Sequence, residues 1–214
     1  MKAFVITIDG HSESERASQV CIESSWKVKN EFSINRYEAS TPINAIDQMK
    51  EFDIDWNYPW QGKVHDFASG LIKSAYQTAN PKARIACAMS HFRLWTDCYD
   101  IGQDFLILEH DAYMLRPLPD KVLKRFPDVL KLDSLDPYLK TYNEDLADQP
   151  KEDTIWSLHH RKEHGKHIHE RGLYSIGGYG YIIKPHAAKE IISECKTYGF
   201  RPADHQIHTT PNID

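Results

Sequence analysis

Two acidic residues follow a short apolar run that is typical of a buried strand. Phe105–Leu108 is apolar throughout, and Glu109-His110-Asp111 comes directly after it. In open α/β sheets, ligands bind at the carboxyl ends of the strands. Side chains two residues apart point to the same side of an extended chain, so Glu109 and Asp111 are predicted to hold one divalent cation against a diphosphate. The alternative is a strand end whose polar residues simply meet water.

A Ser-His pair lies on the helix that is predicted before this strand. The segment Ala83–Ile101 has Ala, Met, Leu and Trp at helical spacing and is followed by Gly102. Ser90 and His91 are predicted to place a polar face toward the site, while the apolar face of the helix meets the core. Both are therefore candidate ligand-binding residues. The alternative is a helix with a half-buried histidine whose hydrogen bonds are satisfied internally.

Glycine and tyrosine alternate further along the chain, in the segment Gly177-Gly178-Tyr179-Gly180-Tyr181. Glycine lets a ligand approach the backbone closely and tyrosine rings stack on a sugar or a base, so Gly178 and Tyr181 are predicted to contact a ligand. A β-bulge or a tight bend explains the glycines equally well. The segment lacks the spacing of a Gly-x-Gly-x-x-Gly loop, so it gives little support to a dinucleotide fold.

An acid and two histidines lie close together in Arg201–His208. Asp204 is a candidate general base that accepts the proton of a hydroxyl group, provided that the acceptor lies within hydrogen-bond reach. His208 is a candidate third ligand for the cation that Asp111 holds. The alternative is a polar helix start in which Asp204 is a cap or a first-turn acid.

Five histidines are crowded into one short basic stretch that also contains Arg161, Lys162, Lys166 and Arg171. Zinc capture is one interpretation. The spacing matches no standard ligand set and no cysteine is nearby, so a solvated loop that acts as a lid or recognises an acceptor is favoured. The histidines are His159, His160, His164, His167 and His169.

These segments lie among alternating predicted strands and helices. The predicted strands are Lys2–Ile8, Ser33–Glu38, Phe105–Leu108, Val129–Leu132 and Ser175–Lys184. The predicted helices are Ser12 to about Trp26, Ala45–Lys50, Ala83–Ile101, Leu118–Phe126 and Pro185–Thr197. This alternation predicts a single α/β domain, residues 1–214, with a mainly parallel central sheet. Phe52–Ala68 is a candidate site-lining loop, and Tyr138–Lys166 has no clear periodicity.

Composition limits the classes of function. The chain has 214 residues, of which 27% are charged and 41% are hydrophobic, as in ordinary globular domains. Its formal net charge is -5 and it has no long basic run, so stable binding to nucleic acid is not expected. We predict neither a signal peptide nor a membrane span. The four cysteines form no Cys-x-x-Cys pair, which favours reduced thiols and a cytoplasmic location.

Six segments in order resemble glycosyltransferase family 25, the group that includes lipopolysaccharide-biosynthesis galactosyltransferases and collagen galactosyltransferase domains. ACAMSHFRLW resembles the family's Gly-Cys-x-x-Ser-His helix, and FLILEHDAYM resembles its Leu-Ile-Leu-Glu-Asp-Asp strand. RPADHQI is similar to its Pro-Val-Asp motif. VITIDGHSESER, INRYEAST and GGYGYIIKPHAAKEII are similar to its first strand, its second strand and a later segment. The ordered set is far more specific than any one match.

The resemblance implies a GT-A-like, nucleotide-sugar-binding fold, a hydroxyl acceptor and, commonly, a divalent cation such as Mn²⁺ or Mg²⁺. It implies that Thr7 and Asp9 at the end of the first strand bind the donor with Arg16, and that transfer inverts the anomeric carbon. It also makes Ser90, His91, Glu109, Gly178 and Tyr181 donor-binding residues. The sequence departs from the family pattern at two positions. His110 stands where the family has an acid, and Ala86 stands where glycine is usual.

Three hypotheses follow from the residues and the resemblance. The favoured one is a glycosyltransferase of the hexosyltransferase type, as in lipopolysaccharide biosynthesis. The second is a non-catalytic module on a degenerate transferase fold that holds a sugar nucleotide or a glycan, which the His110 replacement supports. The third is a metal-binding protein built on the histidine cluster. The acceptor stays open among a surface polysaccharide, a lipid-linked oligosaccharide, a protein hydroxyl and a hydroxylated DNA base.

Overall fold

The computed structural model describes residues 1–75, 78–118, 123, 126, 128–132, 156–159 and 180–208, with only the backbone at 131, 156–159 and 208. These residues form eight strands and five helices. The strands are β1 (Lys2–Thr7), β2 (Ile34–Glu38), β3 (Lys63–Asp66), β4 (Leu71–Ser74), β5 (Phe105–Glu109), β6 (Val129–Leu132), β7 (Trp156–His159) and β8 (Gly180–Ile183). The helices are α1 (Ser12–Lys27), α2 (Ala45–Glu51), α3 (Pro81–Ile101), α4 (Pro185–Tyr198) and α5 (Ala203–His208).

Six strands form one sheet in the order β2-β1-β5-β8-β6-β7. Strand β1 is parallel to both β2 and β5. Strand β8 lies antiparallel between β5 and β6, and β7 is antiparallel to β6. The predicted α/β class is confirmed. Strands β2, β1 and β5 form the parallel half of the sheet. The other half is antiparallel, so the sheet as a whole is mixed, which strand–helix alternation alone did not indicate.

Strand β5 is buried on both faces and separates two apolar cores. Phe105 and Ile107 pack with α3 and α4 on one side, whereas Leu106 and Leu108 pack with α1 on the other. All four side chains are at most 1% exposed. A strand that is covered by helices on both faces needs an unbroken apolar run, which explains the sequence Phe-Leu-Ile-Leu.

Helix α3 is the central helix of the larger core. The side chain of Asn80 accepts a hydrogen bond from the backbone N–H of Ala83 at 3.1 Å, and Pro81 follows in the first turn. Gly102 ends the helix in the left-handed conformation, at φ 69°. Phe92 and Trp95 are fully buried, so the position of α3 relative to the sheet is fixed by packing along its length.

Gly180 allows strands β5 and β8 to approach each other closely. A Cβ atom at this position would lie 2.8 Å from Cδ2 of Leu108, well inside van der Waals contact. The glycine is therefore explained by packing between neighbouring strands rather than by a ligand or a bulge. Gly177 and Gly178, and with them the prediction that Gly178 binds the donor, lie outside the described residues.

Gly180→Ala is therefore expected to lower the free energy of unfolding by about 1–3 kcal/mol, because the added methyl group overlaps Leu108 in a filled core. Urea unfolding monitored by circular dichroism measures the loss. The double variant Gly180→Ala/Leu108→Ala is the control, since it removes the overlapping group. Its loss should be smaller than the sum of the two single losses, and strict additivity would contradict the explanation.

Strands β3 and β4 form a separate antiparallel hairpin, and β3 lies in a stretch that was predicted only as a loop. A buried ion pair stabilises it. Nζ of Lys73 lies 2.6 Å from Oδ2 of Asp66 and donates to the carbonyl of Asn57 at 2.9 Å. Burial opposes the ionisation of Asp66, but Lys73 and Ser69 outweigh that effect and lower its pKa to about 2.

Asp66→Asn is expected to lower the free energy of unfolding by about 3–5 kcal/mol, because it leaves the ammonium group of Lys73 buried without its counter-charge. The wild-type contribution is fully present above the unfolded carboxyl pKa of about 3.9 and is lost as the pH falls toward 2. Urea unfolding at several pH values tests both statements. The double variant Asp66→Asn/Lys73→Met buries no charge and should recover most of the loss.

Candidate active site at the carboxyl edge of the sheet

The three parallel strands end at one edge of the sheet. Strands β2, β1 and β5 end at Glu38, Thr7 and Glu109. Helix α3 runs back across the sheet before β5 begins at the opposite edge, so the N-terminal half of α3 lies beside Glu109. This is the edge at which open α/β sheets bind their ligands.

Glu109 is the half-buried acid of this edge. Its side chain is 27% exposed, and Oε1 lies 3.4 Å from Nε2 of His91. Burial opposes its ionisation, but the contact with His91 and electrostatic interactions with His91, His110 and Arg84 outweigh that effect and lower the pKa of Glu109. The carboxylate is therefore anionic at neutral pH in a partly desolvated position, where its charge acts more strongly than in water.

His91 is held in place from the core side. The ring is fully buried, and Nδ1 lies 2.8 Å from the hydroxyl of Tyr181. Nε1 of Trp95 donates to the same hydroxyl at 2.8 Å. Burial opposes a charged imidazolium, but the surrounding Tyr181, Cys87 and Glu109 outweigh it, and the pKa of His91 is raised. Because Nδ1 is fixed by Tyr181, Nε2 is directed at Glu109.

The prediction that Glu109 and Asp111 point to the same side rested on an extended chain, and that assumption is wrong. The strand ends at Glu109 and the chain turns at His110 and Asp111, with the N–H of Ala112 donating to the carbonyl of Glu109 at 3.0 Å. Asp111 is exposed. Its charge adds to the effect of burial in raising the pKa of Cys21, on helix α1, to about 12. Asp111 therefore lies within electrostatic range of Cys21 on α1, whereas Glu109 contacts His91 on α3.

The residues at the end of β1 fall into two groups. Thr7 is only 5% exposed, and its hydroxyl lies 2.7 Å from that of Ser18, so it joins β1 to α1. Asp9 and Arg16 are exposed and open to a ligand. The backbone N–H of Gly10 donates to Glu15 at 2.9 Å, which closes the turn between β1 and α1.

A comparison with protein-family models identifies the family to which this chain belongs. The family model described as Glycosyltransferase family 25 (LPS biosynthesis protein) matches residues 27–207. The chain belongs to glycosyltransferase family 25. A comparison with curated proteins gave no match. The resemblance inferred from the six segments is thereby confirmed at the level of the family, and the family implies transfer of a sugar from a nucleotide-sugar donor to an acceptor.

The family match covers most of the candidate edge. It includes α3, Glu109, Asp111 and Asp204, but it begins after Thr7, Asp9 and Arg16. Donor binding by Asp9 and Arg16 therefore stays a prediction from the sequence resemblance, whereas the side chain of Thr7 is buried against α1. None of the helices in the described part of the chain combines the length and apolar character that crossing a membrane requires.

Besides Thr7 and His91, two further predicted donor-binding residues of this family 25 chain have buried side chains that bond within the protein, Ser90 and Tyr181. The hydroxyl of Ser90 donates to the carbonyl of Ala86 and accepts from the backbone N–H of Ser40, both at 2.9 Å. Through these two hydrogen bonds, Ser90 connects α3 to the loop after β2. Tyr181 is 1% exposed, so its ring does not stack on a ligand. Burial raises the pKa of Tyr181, and its neutral hydroxyl positions His91. The prediction of direct contact through Tyr181 is corrected accordingly.

Helix α4 carries the chain back to the candidate edge. It starts directly after β8 at the opposite edge, and its 14 residues span about 21 Å. Phe200 then packs against Phe92 at 5.5 Å between ring centroids. Asp204 follows in the first turn of α5, partly exposed, with Oδ1 accepting from the backbone N–H of His205 at 3.0 Å. This arrangement matches the alternative prediction that Asp204 is an acid in the first turn of a helix. Its role as general base stays a prediction.

The remaining predicted ligands fall outside the described part of the molecule. The side chain of His208 is not described, and residues 160–179, which hold most of the histidine cluster, are not described either. Nothing in the structure therefore tests the proposed third ligand or the histidine-based hypothesis.

Sequence reasoning missed a second feature of α3. Arg84, Cys87 and His91 are spaced three and four residues apart, so they lie on one face of the helix. Cys87 is exposed, and its sulfur lies close to His91 and Glu109. The pattern Cys-x-x-x-His, on a helix that precedes a strand ending in an acid, is the signal that would have found this cluster.

Proposed function

We propose that this chain transfers a sugar from a nucleotide-sugar donor to a hydroxyl group of a glycan, with the reacting groups at the carboxyl edge of β1, β2 and β5. The observation that supports the proposal most strongly is the anionic, half-buried Glu109 at that edge, in a chain of glycosyltransferase family 25. The glycan acceptor follows from the lipopolysaccharide biosynthesis named in the family description. A GT-A-like fold is part of the same proposal.

Glu109 is the residue proposed to hold a hard divalent cation, Mn²⁺ or Mg²⁺. Asp111 stays its predicted second ligand from the sequence, although the chain turns between the two acids. Carboxylate oxygens are the ligands that such cations prefer, and the lowered pKa of Glu109 keeps its carboxylate ionised. The residue types therefore fit. When bound, the cation supplies Lewis-acid stabilisation of the charge on the departing nucleoside diphosphate. Arg84 lies near Glu109, and its guanidinium group is proposed to contribute positive charge that stabilises the same phosphates.

Asp204 is the residue proposed to activate the acceptor. Its carboxylate accepts the acceptor's hydroxyl proton while the acceptor oxygen forms a bond to the anomeric carbon. The bond from that carbon to the diphosphate oxygen breaks at the same time, and the nucleoside diphosphate leaves with the electron pair. A single displacement of this kind inverts the anomeric configuration. The bond from His205 N–H to Oδ1 fixes the orientation of the carboxylate.

The proposal is tested by incubating the protein with UDP-, GDP- and CMP-sugars, with and without Mn²⁺ or Mg²⁺, and measuring the released nucleotide. Slow hydrolysis of at least one donor is expected. Asp204→Asn should retain donor binding and lose transfer to an added glycan. Asp100→Asn, an exposed acid near the end of α3 at the opposite edge, is the matched control and should behave as wild type.

Two outcomes would count against the proposed function. If one sugar nucleotide binds saturably and is neither hydrolysed nor transferred, the chain is a binding module. If no sugar nucleotide binds under any metal condition, the proposed donor site is wrong.

A further inference from the structure

Three side chains of different chemistry converge beside the N-terminal half of α3. The ligand atoms of Cys87, His91 and Glu109 all lie within 4.8 Å of one another. Cys87 and His91 are four residues apart on one helix, which places them on the same face, and Glu109 reaches them from the end of β5. Two rigid elements therefore hold the cluster, and no flexible loop is needed to assemble it.

The imidazole of His91 is oriented as a metal ligand. Its Nδ1 is held by Tyr181, so Nε2 is the nitrogen that faces Glu109, and the sulfur of Cys87 lies in the same cluster. Nε2 is completely buried and has no hydrogen-bond partner among the described residues, since its 3.4 Å contact with Glu109 lacks hydrogen-bond geometry. A buried polar atom that makes no hydrogen bond is costly. In a metal-binding histidine, the ring nitrogen that does not bind the metal usually makes a hydrogen bond that fixes the orientation of the ring. The bond between Nδ1 of His91 and Tyr181 is of this kind.

The arrangement does not suit a thiol nucleophile. In a nucleophile–histidine–acid triad, the nucleophile and the acid contact opposite nitrogens of the imidazole. Here the carboxylate of Glu109 faces Nε2, the nitrogen that a thiol would need, and Nδ1 is taken by Tyr181. The geometry of His91 therefore favours convergence of three ligands on one ion.

We propose that Cys87, His91 and Glu109 form a site for a borderline-soft divalent cation, Zn²⁺ or its analogue Co²⁺. Thiolate, imidazole and carboxylate are the three protein ligand types of zinc, whereas Mg²⁺ and Mn²⁺ favour oxygen ligands. Ligand atoms around tetrahedral zinc lie about 3.3–3.8 Å apart, so small rotations of the exposed Cys87 close the cluster. Binding displaces the protons of the thiol and of Nε2, and a fourth position stays open to water.

The site has a consequence for the proposed transfer reaction because it shares Glu109 with it. Zinc bound to Cys87, His91 and Glu109 takes this carboxylate away from the hard cation and the diphosphate. The ion is therefore expected to inhibit rather than support transfer, and the two cations compete for one side chain. The binding proposal itself does not depend on the chain being an active transferase; only the inhibition rests on the proposed function.

Cobalt binding to the metal-free full-length chain tests the site directly. A cobalt–thiolate bond absorbs in the near ultraviolet, and the histidine stretch His159–His169 contains no cysteine that could produce this signal. We expect the band to saturate at one equivalent, to disappear in Cys87→Ser and to weaken at least tenfold in affinity in Glu109→Gln. Cys98→Ala, which removes a buried thiol about three turns beyond Cys87 on α3, should keep the band.

Absence of the band in wild type, or its persistence in Cys87→Ser, overturns the proposed site. Cys87 is exposed, so its replacement leaves the fold intact and the result interpretable. In a second measurement, micromolar zinc should inhibit wild-type donor turnover and leave Cys87→Ser at least tenfold less sensitive. Equal sensitivity of the two proteins also counts against the site. Loss of donor turnover in both proteins without zinc would instead contradict the proposed function.

Discussion

Glu109→Gln is expected to lower kcat/KM for sugar transfer by about a hundredfold or more, while the protein stays folded. The substitution keeps the size of the side chain and removes the charge that is held at the carboxyl edge of β5. It also removes the ionic partner of His91, whose Nε2 lies 3.4 Å from the carboxylate. Steady-state kinetics with the preferred donor, and the melting temperature of each protein, are the measurements.

The control for Glu109→Gln is Asp104→Asn, which changes an acid beside the other end of the same strand. Its activity should match wild type, because the amino end of β5 lies away from the candidate site. A Glu109→Gln protein with wild-type kcat/KM would show that the reaction takes place elsewhere. A melting temperature far below wild type would instead assign the loss of activity to unfolding.

Tyr181→Phe is expected to lower the free energy of unfolding by about 2–6 kcal/mol and to reduce activity. The hydroxyl of Tyr181 serves both His91 Nδ1 and Trp95 Nε1, each at 2.8 Å, and all three side chains are fully buried. Its removal leaves two buried polar groups without a partner, at about 1–3 kcal/mol each. The reduced activity follows because the ring of His91 is no longer fixed toward Glu109.

Tyr37→Phe is the matched control for this prediction. Its hydroxyl makes one hydrogen bond, to Oδ2 of Asp97 at 2.8 Å, in a partly exposed position. The same chemical change should therefore cost only about 0.5–1.5 kcal/mol. Urea unfolding of the two variants gives the comparison, and equal losses would show that the buried network of Tyr181 contributes nothing beyond one ordinary hydrogen bond.

Local patterns in the sequence predicted much of the fold. The apolar spacing of α3 and the glycine at its end gave this helix to within two residues at its start, whereas the cap Asn80 was not recognised. The run Phe105–Leu108 predicted the central strand, and the acid Glu109 that follows it marks the edge of the candidate site. These features depend on neighbours in the chain, so no long-range information was needed.

Long-range contacts explain what the sequence did not predict. The antiparallel direction of β8 depends on its pairing with Leu108 and its neighbours, more than 70 residues earlier. The burial of Tyr181 depends on α3, 90 residues away, so a tyrosine that looked like a stacking surface is a positioning residue. The turn after Glu109 is local, but acid-x-acid spacing carries no information about where the strand ends.

The distance along the chain between His91 and Tyr181 also sets the order in which the candidate site matures during protein synthesis. Ribosomes deliver about 5–20 residues per second, so Tyr181 follows His91 by about 5–18 seconds. During that interval, α3 and β5 exist without β8, and their apolar faces toward it stay uncovered. The nascent chain thus passes through a stage in which Glu109, the proposed cation ligand, is present but His91 is not yet oriented, and apolar surface exposed at that stage is prone to aggregation.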